Sequence, residues 1–356
     1  MTLYGSLSQL TIPRRAVAPW KFTCTTTAAG QTLTLNRITP TGSNLIVYWG
    51  DGNNSTITNG YTGTTTHIYT NAGTYTVSFD KSEIITQIDL RDSKIGGNFN
   101  TNPLPVGLTY LILYNLSNFM WNVNNNPMPA GLTYIYFYKL SNFIWNVNTN
   151  PLPAGLTYLR FETLSGITWN INNNPVPAGL TSLGFISVSG LTWNVNNNPM
   201  PAGLTSLTFI STSGLTWNVN NNPMPAGLTY LNLQSVPGLT WNINASQPWP
   251  VGATGVVVVE CPNVTVSAWT NNAVRTIRLE NSYSQANVDA VINAIWANKA
   301  NFTYATPSLD LLGTGNAAPS GIYQAASPPT TGNEKKYDLV NGNYTPAGPE
   351  WTVQTA

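Results

Sequence analysis

From Leu108 to Ile243 the chain runs through two short apolar bursts, then a polar turn, and the whole pattern returns every 24 residues. One copy reads Leu204-Thr-Ser-Leu-Thr-Phe-Ile-Ser-Thr-Ser-Gly-Leu-Thr-Trp-Asn-Val-Asn-Asn-Asn-Pro-Met-Pro-Ala-Gly227. The first burst, Leu-x-x-Leu-x-Leu/Phe, predicts a strand; Leu215-Thr-Trp-Asn-Val219 alternates with period two and predicts a second, shorter one. A fixed period of this length marks a solenoid, whose coils bury their apolar side chains only by stacking on one another. Within the second strand the tryptophan shares parity with Leu215 and Val219, while Thr216 and Asn218 face outward. Trp121, Trp145, Trp169, Trp193, Trp217 and Trp241 are therefore expected to form a buried indole column, the structural core of the repeat. The Asn-Asn-Asn-Pro turns, such as Asn220 to Pro223, are expected to fix the corner through side-chain amide ladders.

The pattern frays at both ends. Ile85-Thr-Gln-Ile-Asp-Leu90 matches the first strand, but Gly97 stands where the tryptophan should be and one residue is missing, as in an atypical end coil. Ala273-Val-Arg-Thr-Ile-Arg-Leu279 repeats the strand pattern a last time. With such ends, seven to nine coils are expected, spanning about 35–40 Å at ~4.8 Å per stacked strand. Beyond them, Ser284 to Lys299 carries Val288, Val291, Ile292, Ile295 and Trp296 on one face, with Ser284 placed to cap: the one convincing helix, suited to cover the last coil. Leu309-Asp-Leu-Leu and Trp351-Thr-Val353 are expected to pair as a small terminal β element. On the N-terminal side, residues 1–18 with Pro13-Arg14-Arg15 read as an arm. Residues 19–80 alternate between strand-like runs (Thr32–Leu35, Asn44–Trp49, Thr64–Tyr69, Thr74–Phe79) and Gly/Asn turns, and predict a small β-sandwich. The expected organisation is thus an arm (1–18), a sandwich (19–80), a repeat solenoid (81–280) and a cap with an irregular tail (281–356), mainly β throughout.

Composition narrows the function. Of the 356 residues only 8% are charged and the net charge is +1. Between Thr101 and Val251 the charged residues are Lys139, Arg160 and Glu162. No basic field is present to hold a phosphate backbone, so a nucleic-acid partner is not expected. The surface must use Asn, Thr, Ser and Tyr in place of charge, which suits extracellular or virion surfaces. Cys24 and Cys261 read as reduced, buried residues. The start, Met1-Thr-Leu-Tyr-Gly-Ser, lacks the features of a secretory signal, and no apolar run is long enough to cross a bilayer. Synthesis in a cytoplasm without export by the usual route, and no membrane insertion, are the expectations.

Candidate chemistry is sparse. The single histidine, His67, lies in a strand-like run and is expected to be structural; Asp51 sits in a turn and is expected to be a turn-forming carboxylate rather than a calcium ligand. No triad, metal-ligand spacing or carboxylate pair is legible, so a non-enzymatic protein without cofactor or metal is expected. Function should sit where the repeats differ, on the outward positions of the first strand. These hold Tyr110, Ile112 and Tyr114; then Tyr134, Tyr136 and Tyr138; then Tyr158, Arg160 and Glu162. In later coils they become Ser182, Gly184 and Ile186, then Ser206, Thr208 and Ile210, then Tyr230, Asn232 and Gln234. Tyrosine offers much contact area at low entropic cost, so the early patch is the candidate binding surface.

Three resemblances extend this reading. Leu-x-x-Leu-x-Leu/Phe at this period resembles the strand of a leucine-rich repeat, although Leu116, Leu140, Leu164, Val188, Thr212 and Val236 occupy the position of that family's asparagine ladder. Trp49-Gly-Asp-Gly52 followed by His67-Ile-Tyr-Thr-Asn-Ala-Gly-Thr-Tyr-Thr-Val77 resembles a PKD-type immunoglobulin-like module, which implies a spacer or adhesion unit. The Val288-Asp-Ala-Val-Ile helix, Leu309-Asp-Leu-Leu and the closing Trp351-Thr-Val together look like the ends of repeat-bearing bacteriophage structural proteins. That last resemblance implies a virion surface protein: a capsid decoration, head fibre or tail-associated subunit, with capsid or tail proteins and further copies of itself as partners. The alternative is a bacterial cell-surface adhesin. In either setting a host-surface glycan or protein would be the external partner.

Overall fold

The computed structural model describes residues 19–246, 248–304, 306–312, 315–341 and 350–355; the expected arm, 1–18, lies outside them. The chain is mainly β, a solenoid of about 8 turns with a repeat of about 24 residues. Two 12-stranded sheets face each other. One, here the tyrosine sheet, stacks the first strand of each coil: Tyr110–Tyr114, Tyr134–Tyr138, Tyr158–Leu164, Ser182–Val188, Ser206–Ile210 and Tyr230–Gln234, continued by Gly255–Val259 and Thr276–Glu280. The other, the tryptophan sheet, stacks the second strands from Asn118–Asn122 to Leu239–Ile243 and ends at Asn263–Val266. Leucine, phenylalanine and tryptophan from both inner faces join in one continuous buried core.

The sheets differ in register. Strands of the tyrosine sheet pair residue for residue at the repeat, Tyr110 with Tyr134 and Tyr134 with Tyr158. Those of the tryptophan sheet are offset by two, so that Trp145 pairs with Ile167 and Trp169 with Leu191. An even offset keeps side-chain parity and the indoles stay inside. It also moves each indole along the strand relative to the next. The rings therefore meet phenylalanines of the facing sheet edge-on: Trp145 meets Phe161 at 5.9 Å, Trp169 meets Phe185 at 5.8 Å and Trp193 meets Phe209 at 6.0 Å. Close backbone approach sets the corners. Gly166 offers its carbonyl to the Trp145 amide at 2.9 Å, and a Cβ there would lie 1.7 Å from the Phe143 carbonyl oxygen.

Strands on the N-terminal side continue both sheets. Lys21–Thr26 pairs antiparallel with Gly73–Phe79 on one side and with Ile95–Asn98 on the other. Arg37–Pro40 pairs antiparallel with Ile85–Leu90. Hydrogen-bonded pairs thus cross the boundary expected at residue 80. Where Gly97 replaces the tryptophan, the core is filled from this side by Trp20, which stacks on Phe79 at 5.4 Å and meets Phe99 edge-on at 5.8 Å. Cys24 and Cys261 are both buried and free, and burial pushes each thiol up to about 11.

At the far end, helix α1 (Gln285–Ala297) is capped by Ser284, whose hydroxyl accepts the Asn287 amide, and it packs against the last strand of the tryptophan sheet. Ser308–Leu311 and Thr352–Thr355 pair in parallel, and they extend the tyrosine sheet rather than form a separate unit. A second helix, α2 (Gly332–Asn341), packs on α1 and corrects the expectation of a single one. Its apolar face is too thin to register as periodicity, because Leu339 is its one large buried apolar side chain. A capping box marks its start: the Thr331 hydroxyl accepts the Glu334 amide, and the Glu334 carboxylate accepts the amides of Thr330 and Thr331, which hold it at about 2. Between the helices, Lys299 and the Trp296 indole both donate to the buried Asp338 carboxylate.

Candidate functional site

Three backbone-directed ladders make the scaffold rigid and so decide what its outer faces can present. The Thr133 hydroxyl and amide both donate to the Thr109 carbonyl, at 3.1 and 2.8 Å, and Thr157, Thr181, Thr205 and Thr229 repeat the arrangement coil by coil. In the corner, the Asn172 side-chain oxygen accepts the amide of Asn194 in the next coil at 2.8 Å. The Asn174 side chain donates back to the Val147 carbonyl of the previous coil. The asparagine side chains do form ladders at the corner, and most rungs run from side chain to backbone, with an amide-to-amide bond from Asn150 to Asn124 at 3.4 Å: an unpaired backbone group at a corner is costlier to leave than an exposed amide. The third relation is the indole N–H, which donates to the carbonyl of the asparagine five residues on. All six indoles of the repeat are at most 1% exposed.

With the inner positions fixed, the tyrosine sheet presents its variable residues in straight rows. Exact register brings Tyr110, Tyr134 and Tyr158 into one stack, with ring centroids 4.4 and 4.0 Å apart, and Tyr114 onto Tyr138 at 4.3 Å. Tyr136 donates its hydroxyl to Glu162 at 3.2 Å and lies under the Arg160 guanidinium, 5.8 Å from the ring. Arg160 and Glu162 are themselves an ion pair. The sheet therefore brings Tyr110, Tyr114, Tyr134, Tyr136, Tyr138, Tyr158, Arg160 and Glu162 onto one face, each partly buried by its neighbours. Ile112, read as outward from parity, is 2% exposed: Tyr110 and Tyr114 flank it on its own strand, and Asp89 and Tyr136 on the adjacent ones.

Burial raises the Tyr134 and Tyr110 phenols above their ordinary value; for Tyr136 burial and the Glu162 charge together push it up to about 12. These three hydroxyls are thus neutral across physiological pH. Burial also works against the Arg160 charge, but the bond to Glu162 and the Glu162 charge together outweigh it and raise the guanidinium above its ordinary value.

Residues from the N-terminal side complete the patch and were not singled out in the sequence. Arg37 covers the outer face of Tyr110, 5.0 Å from its ring, and Arg91 stands 5.9 Å from the ring of Tyr114 while held bidentate by Asp89 at 2.8 and 2.9 Å. Only the antiparallel pairing of Arg37–Pro40 places Arg37 there, and no local signal announces that pairing. On the opposite sheet Met120 and Ile144 are about half exposed, at 49% and 52%, beside a groove lined by Ser141, Asn142, Ser165 and Gly166.

His67 is held away from both faces. Its ring stacks on Trp49 at 4.8 Å and bonds Asp51 at 2.7 Å, while Tyr69 donates its hydroxyl to the Trp49 carbonyl. Among the described residues no group of three or more His, Cys, Asp or Glu side chains could hold a metal ion, and no helix is long and apolar enough to cross a membrane. No protein-family model matches the chain, and no curated protein aligns with it significantly.

Proposed function

We propose that this chain is a non-enzymatic structural protein of a virion surface, a capsid decoration, head fibre or tail-associated subunit, whose leucine-rich-repeat-like solenoid displays a recognition face. One observation carries the reading. Coils that are nearly identical at their inward positions and asparagine corners differ on the outward rows of the tyrosine sheet, where Tyr134 and Tyr138 give way to Ser206 and Ile210. A chain that holds its scaffold constant and varies one face is built to present that face. The scarcity of charge and the bacteriophage-like C-terminal pattern support display on a virion, with capsid or tail proteins and further copies of the chain as the neighbours this reading expects. Mass spectrometry of purified particles against washed cell envelopes tests it. A fixed copy ratio to the major capsid protein is expected, and recovery in the envelope fraction alone would overturn it.

A bacterial cell-surface adhesin is the second reading, favoured by how the two halves of the PKD-like motif meet. Trp49 and Asp51 from the first half clasp His67 and Tyr69 from the second, a packed unit of the kind that adhesion modules use as spacers.

A further inference from the structure

The tyrosine stack stops abruptly. Tyr158 has Tyr134 on one ring face, 4.0 Å away and within 7° of parallel. In the next two coils the same row holds Ser182 and Ser206, and the row resumes with Tyr230. Among the described residues no ring and no cation lies on the other face of Tyr158, and Tyr230 has no aromatic neighbour and is 46% exposed. Between these two tyrosines lie three strand steps, about 14 Å at ~4.8 Å each. Ser182 and Ser206 floor the gap, with Gly184 and Thr208 in the adjacent row. The far wall is braced: Gln234 donates to Asn232 at 2.8 Å, and Asn232 donates to the Tyr230 hydroxyl at 3.5 Å. Along the near edge the Arg160 stem lies over Gly184, where a Cβ would come 3.2 Å from its Cγ, and its charge is already matched by Glu162.

We infer that this gap between Tyr158 and Tyr230 is a binding trough for a short neutral glycan. The inference rests on the reading of the outer face as a recognition surface and names its ligand class. An open ring face takes the C–H face of a pyranose by stacking, as every aromatic platform offers its negative face to polarised hydrogens. The two empty slots, each about one strand spacing deep, match the thickness of one sugar ring apiece. Hydroxyls and amides on floor and wall supply the mixed donors and acceptors that sugar hydroxyls need. An anionic or cationic ligand gains nothing here, because the nearest charges are paired with each other. Behind Tyr158, Tyr134 and Tyr110 are the support and not the contact, since Tyr134 is sandwiched between Tyr110 and Tyr158 and Tyr110 between Tyr134 and Arg37.

The test uses the full chain. Binding is screened on an array of neutral oligosaccharides of glucose, galactose, mannose and N-acetylglucosamine and measured by titration calorimetry, with an acidic oligosaccharide and an aromatic peptide as comparators. Expected are binding of at least one neutral glycan, a loss of tenfold or more in Tyr158→Ala and in Tyr230→Ala, and retention in Tyr158→Phe, which keeps the ring. Ser206→Tyr fills a slot and should abolish binding without altering the circular-dichroism melt, which guards against variants that merely unfold. No neutral glycan bound, preference for the acidic sugar or the peptide, or binding indifferent to Tyr158→Ala and Tyr230→Ala would each overturn the inference. Its failure stays separable from that of the virion reading, because particle proteomics does not depend on glycan binding.

Discussion

The Trp169 indole donates its N–H to the backbone carbonyl of Asn174 at 2.7 Å, so one buried ring both fills the core and pins the corner of its own coil. The same bond joins Trp145 to Asn150 and Trp193 to Asn198. Replacing Trp169 with Phe keeps most of the apolar volume but leaves the Asn174 carbonyl unpaired. The expected cost is about 2–4 kcal/mol, combining a modest cavity with an unsatisfied acceptor. Urea unfolding followed by circular dichroism measures it. A change under about 0.5 kcal/mol would show that the bond contributes nothing beyond packing.

Two asparagines in one corner should respond oppositely to the same substitution. Asn172 uses its side-chain oxygen as an acceptor for the Asn194 amide, so Asn172→Asp preserves the contact. Asn174 uses its side-chain nitrogen as a donor to the Val147 carbonyl, so Asn174→Asp sets a carboxylate against a carbonyl oxygen. We expect Asn172→Asp within about 0.5 kcal/mol of the parent and Asn174→Asp destabilised by about 1–3 kcal/mol. Equal losses in thermal melts would mean that the two side chains are not divided between accepting and donating.

The contrast between these corners and the strands marks what a sequence of this kind reveals. Parity alone puts Trp217 inside with Leu215 and Val219, and period alone gives the coil, because both are local consequences of backbone geometry. The rungs of the corner were legible as asparagines but not as bonds, since whether an amide meets another amide or a backbone group depends on the two-residue offset between coils. The offset is a property of the wound chain and leaves no mark in one repeat. Arg37 over Tyr110 was hidden for the same reason: its place is set by pairing between Arg37–Pro40 and Ile85–Leu90, about 50 residues apart in sequence. Helix α2 did carry a local sign, Thr331-Gly-Asn-Glu334, which its polar surface outweighed.

Thr212 occupies an inward corner position where the preceding coils carry Leu116, Leu140, Leu164 and Val188, and its hydroxyl, 1% exposed, has no hydrogen-bond partner. Thr212→Val keeps the shape and removes the stranded polar atom. A gain of about 1–2 kcal/mol is expected. A destabilised Thr212→Val in the same unfolding assay would show that the hydroxyl is satisfied after all.

Each of the six coils from Tyr110 to Gln234 leaves the tyrosine sheet through one left-handed residue, Asn115, Lys139, Thr163, Ser187, Ser211 and Ser235, with φ between 47° and 55°, and Glu260 and Ser282 repeat it in the last two. Asparagine tolerates that region and a β-branched residue does not. Thr163 (φ 52°) is the costliest of the set, and Thr163→Asn should stabilise by about 0.5–1.5 kcal/mol. Moving the β-branch the other way, Asn115→Thr should destabilise by a similar amount. If both variants melt with the parent, the corner backbone relaxes more freely than its dihedrals indicate.

Acid should loosen the N-terminal side through Asp51. Burial opposes its ionisation, but the bonds from His67 at 2.7 Å and from the amide and side chain of Asn53 at 3.0 and 3.1 Å outweigh it, and the carboxyl is held below its ordinary value. A folded-state value below the unfolded one means that the contribution is fully present above about pH 4 and is lost as the pH falls through the lower, folded value. Asp51→Asn removes the titrating group while keeping one acceptor oxygen. The variant should be less stable than the parent at about pH 7, and the gap should narrow progressively as the pH falls below about 4 and the parent carboxyl takes up its proton. Urea midpoints along an acid series from about pH 7 downward decide the matter, and a gap that stays constant through the acid range would rule out ionisation of Asp51 as the source of the stability.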